Sequence, residues 1–246
     1  MLFVTGDCHG DFRRFSTRAF PLQKQLTGQD IVVILGDAGF LWDGGRSDQW
    51  WLDWLDSRPF TVVDIGGNHE NYDLLEQYPL VHRFGGAAYQ LRDSVFHLCR
   101  GQVVQLGGFS AFVMGGAQSH DMEAILPRDG QLKERERRFA RRGIPYRVLG
   151  KSWWFRELPS QQELYTGWNT LRREGHGIEL VLSHCAPTSV QQLLAPRYPQ
   201  NDLTDFLQLV KESAPYEQWF CGHYHLSRHL PEHRFRAVYE EIIPVE

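Results

Sequence analysis

The feature that most constrains this chain is a recurrence: a short apolar run followed at once by a glycine-containing polar loop. The runs cover residues 2–5, 31–35, 61–65, 110–114, 178–182 and 218–221. Their length and their Val/Ile content read as buried strands. Five of the loops are chemically loaded: Gly6-Asp7-Cys8-His9-Gly10-Asp11, Gly36-Asp37-Ala38-Gly39, Gly66-Gly67-Asn68-His69-Glu70, Ser183-His184-Cys185-Ala186-Pro187 and Gly222-His223-Tyr224-His225. In each, a small residue lets the backbone turn and brings a carboxylate, amide or imidazole to the carboxyl end of a strand. Open α/β sheets bind ligands in the crevices there.

Helical character at residues 12–26, and at 48–56 after a Ser47 cap, alternates with the first three runs and predicts βαβ units in a parallel or mixed sheet. Residues 95–98, 103–106 and 109–113 read as a meander separated by Gly101 and Gly107-Gly108, which predicts a second sheet. Ser160-Gln-Gln-Glu163 has the form of a capping box opening a helix to about residue 174. Between residues 127 and 150 the propensity is helical in the middle, but the apolar residues Leu132, Phe139, Ile144 and Leu149 are sparse. That stretch is expected to be an inserted, partly helical lid. With 246 residues the expectation is one domain over 1–246, carrying a basic lid-like insertion at about 127–156.

Charge is unevenly spread. Residues 128–156 hold ten Lys or Arg and three acids, a local +7 within a chain of formal charge -4. A basic solvated helix and an anionic partner both account for this, and single-stranded nucleic acid is the partner considered. No apolar segment approaches the ~18 residues that span a bilayer, so no membrane association is expected. The chain opens with Leu2-Phe3-Val4 and no basic stretch before an apolar run, which predicts no secretory signal. Cys8, Cys99, Cys185 and Cys221 form no CxxC, which argues against a thiolate zinc site and for a reducing, cytoplasmic setting. The oligomeric state is left open.

In an extended Asp7-x-His9 or His223-x-His225, the period of two sends both side chains to one face, so two ligands can grip one ion. Asp7, His9, Asp37, Asn68, His184, His223 and His225 are too many for one tetrahedral site and suit two ions sharing a carboxylate. An O/N set without thiolates favours Mn, with Fe, Zn or Ni as alternatives. Two-ion hydrolysis, with a bound water supplying hydroxide at phosphorus, is the chemistry expected of such a set.

The ordered series GDxHG, GD, GNHE, SH and GHxH, from Asp7 to His225, resembles the calcineurin-like metallophosphoesterase superfamily. The resemblance implies an α/β fold: a four-layer α-β-β-α sandwich of two mixed sheets, with a dinuclear metal site at the strand carboxyl ends. It implies that Asp7, His9, Asp37 and His225 bind one ion and Asp37, Asn68, His184 and His223 the other, Asp37 being the bridge and a catalytic residue. His69 takes the position of the residue that contacts phosphate and protonates the leaving oxygen, or else orients Asn68. Glu70 and Asp11 either hold a ligand histidine or cap a helix.

One departure matters. The protein Ser/Thr phosphatase pattern resembles GDxVDRG, whereas here Phe40 and Leu41 fall where its orienting Asp and phosphate-clamping Arg would stand. That tips the expectation toward phosphodiester or nucleotide substrates, with a protein phosphatase as the alternative and a non-catalytic metal-binding scaffold as the remote one. In the protein-phosphatase alternative, Arg135, Arg138 and Arg142 replace the clamp. Gly115-Gly116-Ala117-Gln118-Ser119-His120-Asp121 and Trp153-Trp154-Phe155-Arg156-Glu157-Leu158-Pro159-Ser160 resemble the GGAxSxD and WWxxExPS stretches of a bacterial and phage subgroup.

Trp42 borders the site in this reading and stacks on a base or aryl group. Trp50, Trp51 and Trp54 share a helix face suited to packing. Trp153 and Trp154 are either a stacking platform for single strands or a packed lid hinge. Cys8, Cys185 and Cys221 are expected to fill the core, and His82, His97, His120, His176, His229 and His233 to be surface or packing residues, with His120 beside Asp121 the one to watch.

Overall fold

In the computed structural model, which describes residues 1–174 and 177–246, the apolar runs are strands. His176 lies outside the described residues. The strands are β1 (Leu2–Thr5), β2 (Ile31–Ile34), β3 (Thr61–Asp64), β4 (Leu80–Arg83), β5 (Gly86–Arg92), β6 (Val95–Leu98), β7 (Gln102–Leu106), β8 (Phe109–Met114), β9 (Ala124–Leu126), β10 (Tyr146–Val148), β11 (Leu180–Ser183), β12 (Gln218–Cys221), β13 (Arg228–Leu230), β14 (Phe235–Ala237) and β15 (Ile243–Pro244). The helices are α1 (Arg46–Asp56), α2 (Tyr72–Leu75), α3 (Leu132–Arg142), α4 (Gln161–Glu174), α5 (Thr188–Leu194) and α6 (Asp202–Ser213).

Two mixed sheets stack face to face. The first runs β15-β1-β2-β3-β6-β5-β4 and the second β13-β14-β12-β11-β8-β7. In the first, β1, β2, β3 and β6 are parallel; in the second, β8, β11, β12 and β14 are. Strand alternation builds the layers. Leu2 and Val4 join Val33, Val63, Val113 and Leu182 between the sheets. Phe3, Val32 and Val62 turn the other way, onto Phe12, Phe15, Leu52 and Leu55. On the far side, Val181 and Trp219 meet Leu171, Val190 and Leu207 of α4, α5 and α6. Both faces of the central strands are thus covered, which is why they read as continuous apolar runs, each buried aliphatic contributing about 1.5–3 kcal/mol. The four-layer α/β sandwich expected from the sequence is the fold observed.

Several local expectations need correction. Residues 12–26 are not a helix but two 3-10 turns, Arg13–Phe15 and Pro21–Gln25. Pro21 cannot donate a backbone N–H, and the buried Gln23 side chain donates instead to the Phe15 and Phe20 carbonyls at 2.9 and 2.8 Å. Gly45, not Ser47, is the N-cap of α1. Asp48 is buried because its carboxylate accepts the N–H groups of Trp42, Asp43 and Gly44 at 2.7, 3.0 and 2.8 Å, closing the loop before the helix. The meander is divided: β6 pairs in the first sheet, while β7 and β8 form a hairpin of the second. The β4–β5 hairpin was not anticipated, because its alternation is weak and β4 is mostly exposed.

The Ser160 capping box is present, with Glu163 N–H donating to Ser160 Oγ at 3.2 Å and Ser160 N–H to Glu163 Oε2 at 2.7 Å. Between β8 and α4, the short parallel pair β9–β10 carries α3, which has no buried residue and ends at Gly143 with a left-handed φ of 64°. Among the described residues, no helix is long and apolar enough to cross a membrane.

Candidate metal centre

The carboxyl ends of β1, β2, β3, β11 and β12 deliver the five polar loops to one place. The turns are unusually tight. Among non-glycine residues, His9, Asp37, His223 and His225 have φ of 47, 52, 69 and 48°, a region that costs such residues free energy and that persists where a site demands it. Gly67 and Gly222 have another role, close approach. A Cβ on Gly67 would collide with the Asp37 carboxylate, and one on Gly222 with that of Asp7.

Two groups of ligand atoms converge, Asp7 with His9 and His225, and Asp7 with Asp37 and His184, each group within 4.8 Å. His225 Nε2 lies 3.1 Å from Asp7 Oδ2 and 3.0 Å from His9 Nε2. His184 Nε2 lies 3.5 Å from Asp37 Oδ1 and 3.1 Å from Asn68 Oδ1. His9 and His69 each approach Asp37 Oδ2 to 4.0 Å. The His184 and His223 rings sit edge to face, centroids 5.0 Å apart. The fold therefore brings all seven ligand candidates and His69 together.

This donor set fits divalent ions on two observations. Asp7 Oδ2 is fully buried and faces the ring nitrogens His225 Nε2 at 3.1 Å and His9 Nε2 at 3.8 Å, which themselves lie 3.0 Å apart. His184 Nδ1 lies 2.6 Å from the Leu35 carbonyl, an oxygen that can only accept, so Nδ1 carries the proton. The Nε2 lone pair then faces the Asn68 and Asp37 oxygens, an arrangement that requires a proton or a cation between them. Without an ion the proton supplies it: burial alone would depress His184, but Asp37 beside it pushes it up to about 10. Burial likewise opposes ionisation of Asp37, yet His184, His69 and His9 hold its carboxyl well below the usual range. Burial depresses His223 and, less strongly, His69 and His9.

A cavity of about 220 Å³ opens on the cluster, lined by Asp37, Asn68, His69, His120, Asp121, Tyr198, His223, Tyr224 and His225. On its other side a more open groove of about 640 Å³ is lined by residues including His9, Asp11, Arg13, Arg14 and Tyr239. Glu70 is buried, its Oε1 accepting the Ala38 N–H at 2.9 Å, so it braces the backbone next to Asp37. Asp11 is exposed and bonds Arg13, a local turn contact.

The other candidates lie elsewhere. Trp42 is 44% exposed and covers Gly10 and Gly39, outside the lining of either cavity. Arg135 pairs with Asp129 at 2.8 Å, and Arg138 lies over Phe139, so neither reaches the cavity; nor does Arg142 line it. Within the insertion, Arg147 pairs with Asp121, a residue of the cavity wall. Trp153 and Trp154 are 7 and 6% exposed and Trp154 Nε1 donates to Asp73 at 2.8 Å, so their faces are not free to stack on bases. Trp51 and Trp54 pack on the outer core while Trp50 is exposed. Cys8, Cys185 and Cys221 are buried core fillers.

The sequence reading gave no role to Asp64, Ser119, Asp121, Glu157 and Tyr198, and took His97 for a surface or packing residue; Asp64 and His97 form a buried pair at 2.7 Å. Three of these, Ser119, Asp121 and Glu157, stand inside the two subgroup stretches, which was the available signal.

The family model for calcineurin-like phosphoesterases matches residues 2–227. No curated protein matches the chain. Among solved structures, a phosphopantetheinyl hydrolase from Mycobacterium tuberculosis is similar at 14% identity and a TM-score of 0.46, over 97% of this chain and 89% of that one.

Proposed function

The chain belongs to the calcineurin-like phosphoesterase family, and from that premise we propose that it hydrolyses phosphodiesters or nucleotide phosphate esters. Membership makes it a metal-dependent phosphoester hydrolase of a family that uses two divalent ions. In our reading Asp7, His9, Asp37 and His225 hold one ion and Asp37, Asn68, His184 and His223 the other, with Mn the preferred metal. Such a pair would lower the pKa of a shared water to about 7 and neutralise charge on phosphoryl oxygens.

The chain's own residues supply the rest. Asp37 stays ionised in its imidazole surroundings, so it is available as the shared anionic ligand. Its Oδ1 accepts the His69 backbone N–H at 2.7 Å, which ties the loop carrying His69 to the centre. The His69 imidazole lines the cavity and is the donor assigned to the leaving oxygen. An anionic phosphate beside it raises its affinity for a proton, opposing the effect of burial.

The observation that carries this reading is the convergence of donor atoms around the buried Asp7 oxygen, with His225 and His9, and around His184, with Asn68 and Asp37. It is tested by loading the protein with Mn and comparing a bis-aryl phosphate diester with the aryl monoester, Asp37→Asn being the dead control. Diester preference supports the proposal, and a large monoester preference overturns the substrate class.

One observation favours a second reading, a phosphomonoesterase of the protein-phosphatase kind. Arg147 of the insertion, paired with Asp121, brings a guanidinium to the cavity wall. Hydrolysis of phosphopeptides lost on Arg147→Ala supports it. We also read residues 1–246 as one domain with 127–156 as its lid, working in the cytoplasm. The exposed basic face of α3 is then a surface for single-stranded nucleic acid, whose binding must weaken steeply with salt.

A further inference from the structure

Asn68 is the one amide among the ligand candidates, and an amide can face an ion with either its oxygen or its nitrogen. Only the oxygen has a lone pair to give. The structure contains a chain of hydrogen bonds that decides between the two. Asn68 Nδ2 lies 3.3 Å from Ser119 Oγ, and Ser119 Oγ lies 2.5 Å from Glu157 Oε2. Ser119 N–H donates to the other carboxylate oxygen, Oε1, at 3.2 Å. Asn68, Ser119 and Glu157 are 3, 7 and 3% exposed, so water does not compete for these bonds.

The direction of the chain follows from proton supply. A carboxylate can only accept, so it takes the single hydroxyl proton of Ser119. The hydroxyl oxygen is then left able only to accept, and it accepts from the Asn68 amide nitrogen. With Nδ2 fixed on that side, Oδ1 must face His184, where it lies 3.1 Å from Nε2. Burial raises the Glu157 carboxyl, while the Ser119 hydroxyl and amide, both donating to it, favour the ionised form that this polarity requires.

Glu157 is itself held firmly. Its carbonyl accepts the Ala117 N–H at 3.1 Å, and the Arg156 carbonyl accepts from Arg100 at 2.8 Å. Trp154 and Arg156 bond Asp73 of α2, on the loop side that leaves Asn68, at 2.8 and 2.6 Å. The segment that closes the basic insertion therefore grips the Asn68 loop from two directions.

We infer that Ser119 and Glu157 are positioning residues that set the Asn68 amide with its oxygen toward the metal centre, so that one of the two ions depends on a contact made by the end of the insertion. The inference rests on the reading of Asn68 as a ligand to that ion. Neither residue touches the reacting atoms; each acts through Asn68.

The test is Mn binding, by isotherm and by electron paramagnetic resonance of the paired ions, on the wild type, Asn68→Ala, Ser119→Ala, Ser119→Thr and Glu157→Gln, with circular dichroism as the folding check. Asn68→Ala is expected to lose one of two ions. Ser119→Ala is expected to weaken that same ion by about 10–100-fold, the range for outer hydrogen-bond partners, and to leave the other ion unchanged. Ser119→Thr, which restores the hydroxyl, returns affinity to within about threefold. Glu157→Gln can donate to Ser119, free its proton for Asn68 and so weaken the same ion; this variant carries the test if Ser119→Ala does not fold. Wild-type isotherms for Ser119→Ala and Glu157→Gln beside an Asn68→Ala that has lost an ion overturn the inference alone. If Asn68→Ala keeps both ions, the ligand assignment falls and the inference falls with it.

Discussion

Gly67→Ala should damage the site from one carbon atom. The added methyl would overlap Oδ1, Cγ and the backbone nitrogen of Asp37. Asp37 has no room to yield, being 1% exposed with Oδ1 held by the His69 N–H at 2.7 Å. Gly67 is not among the left-handed glycines, so the effect is steric rather than conformational. Overpacking of this kind costs about 1–3 kcal/mol, and losing a hydrogen bond to a charged group about 1.5–3 kcal/mol. A loss of about 3–5 kcal/mol in metal-free urea unfolding is therefore expected, together with weaker binding of both ions, because Asp37 is assigned to both. Gly28→Ala is the control: nothing lies within 4 Å of its Cβ position, so it should stay within about 0.5 kcal/mol of wild type. A Gly67→Ala protein within 1 kcal/mol of wild type, with both ions bound normally, would refute the claim that glycine here sets the position of Asp37.

Four further outcomes are expected. Arg147→Ala should raise KM for a phosphate ester by about tenfold or more, the worth of a charge-assisted contact, while Arg138→Ala and Arg142→Ala stay within about twofold; equal effects would return the clamp to α3. An aromatic disulfide reagent should label at most Cys99 in the native protein, since burial pushes Cys8 and Cys185 up to about 12 and Cys221 well above the usual thiol range, and rapid labelling of two or more thiols contradicts the packing. Burial pushes Asp64 up to about 8 and His97 down to about 4. A carboxyl raised on folding stabilises fully below its unfolded pKa and loses that contribution as pH rises through the folded one. The His97 contribution, lowered on folding, is lost only as pH falls. Between pH 6.5 and 8 Asp64 should therefore lower metal-free stability by at most about 1.4 kcal/mol per unit, beside the contributions of Glu70 and His184, which are also raised, to about 8 and about 10, and Asp64→Asn should make the slope shallower; parallel curves for the two proteins exclude the Asp64 contribution. Mn at 100 times its dissociation constant should add about 2.7 kcal/mol per site to unfolding stability, and an unchanged melting temperature on chelation would deny the link between site and fold.

What the sequence made legible was whatever is local and repeated. Runs such as residues 31–35 and 218–221 are buried on both faces, so apolar continuity marks them, and the loaded loops follow because each turn needs its small residue. The five loops also meet as expected, since parallel strands point their carboxyl ends the same way. The rest was set by partners distant in sequence. Residues 12–26 carry a helical pattern, yet Pro21 and the needs of the outer core break it. Asp64 and His97 carry no motif, and their pairing exists because β3 and β6 are neighbours in the sheet. Arg147 could not be told from nine other basic residues of the insertion until β9 and β10 turned it toward Asp121. Trp153 and Trp154 look like a platform beside arginines and lysine, but both are buried, so their faces are not free to stack on bases.

The departure at Phe40 and Leu41 has a structural cause. Both are 1% exposed and belong to the outer core, Phe40 stacking on Phe12 at 5.7 Å. An Asp and an Arg could not occupy these positions without burying charge in an apolar layer, which costs several kcal/mol per ion. The loop after β2 therefore packs instead of clamping, and positive charge for the phosphate has to come from outside the two sheets. On the proposed reading the insertion supplies it: Arg147 pairs with Asp121, a residue of the cavity wall, and the same segment returns through Trp153 and Trp154 to Glu157. If Glu157 also orients Asn68, substrate charge and ligand geometry share one anchor. Displacing that anchor would raise KM and weaken one ion together, whereas neutralising Arg147 alone would change only the first.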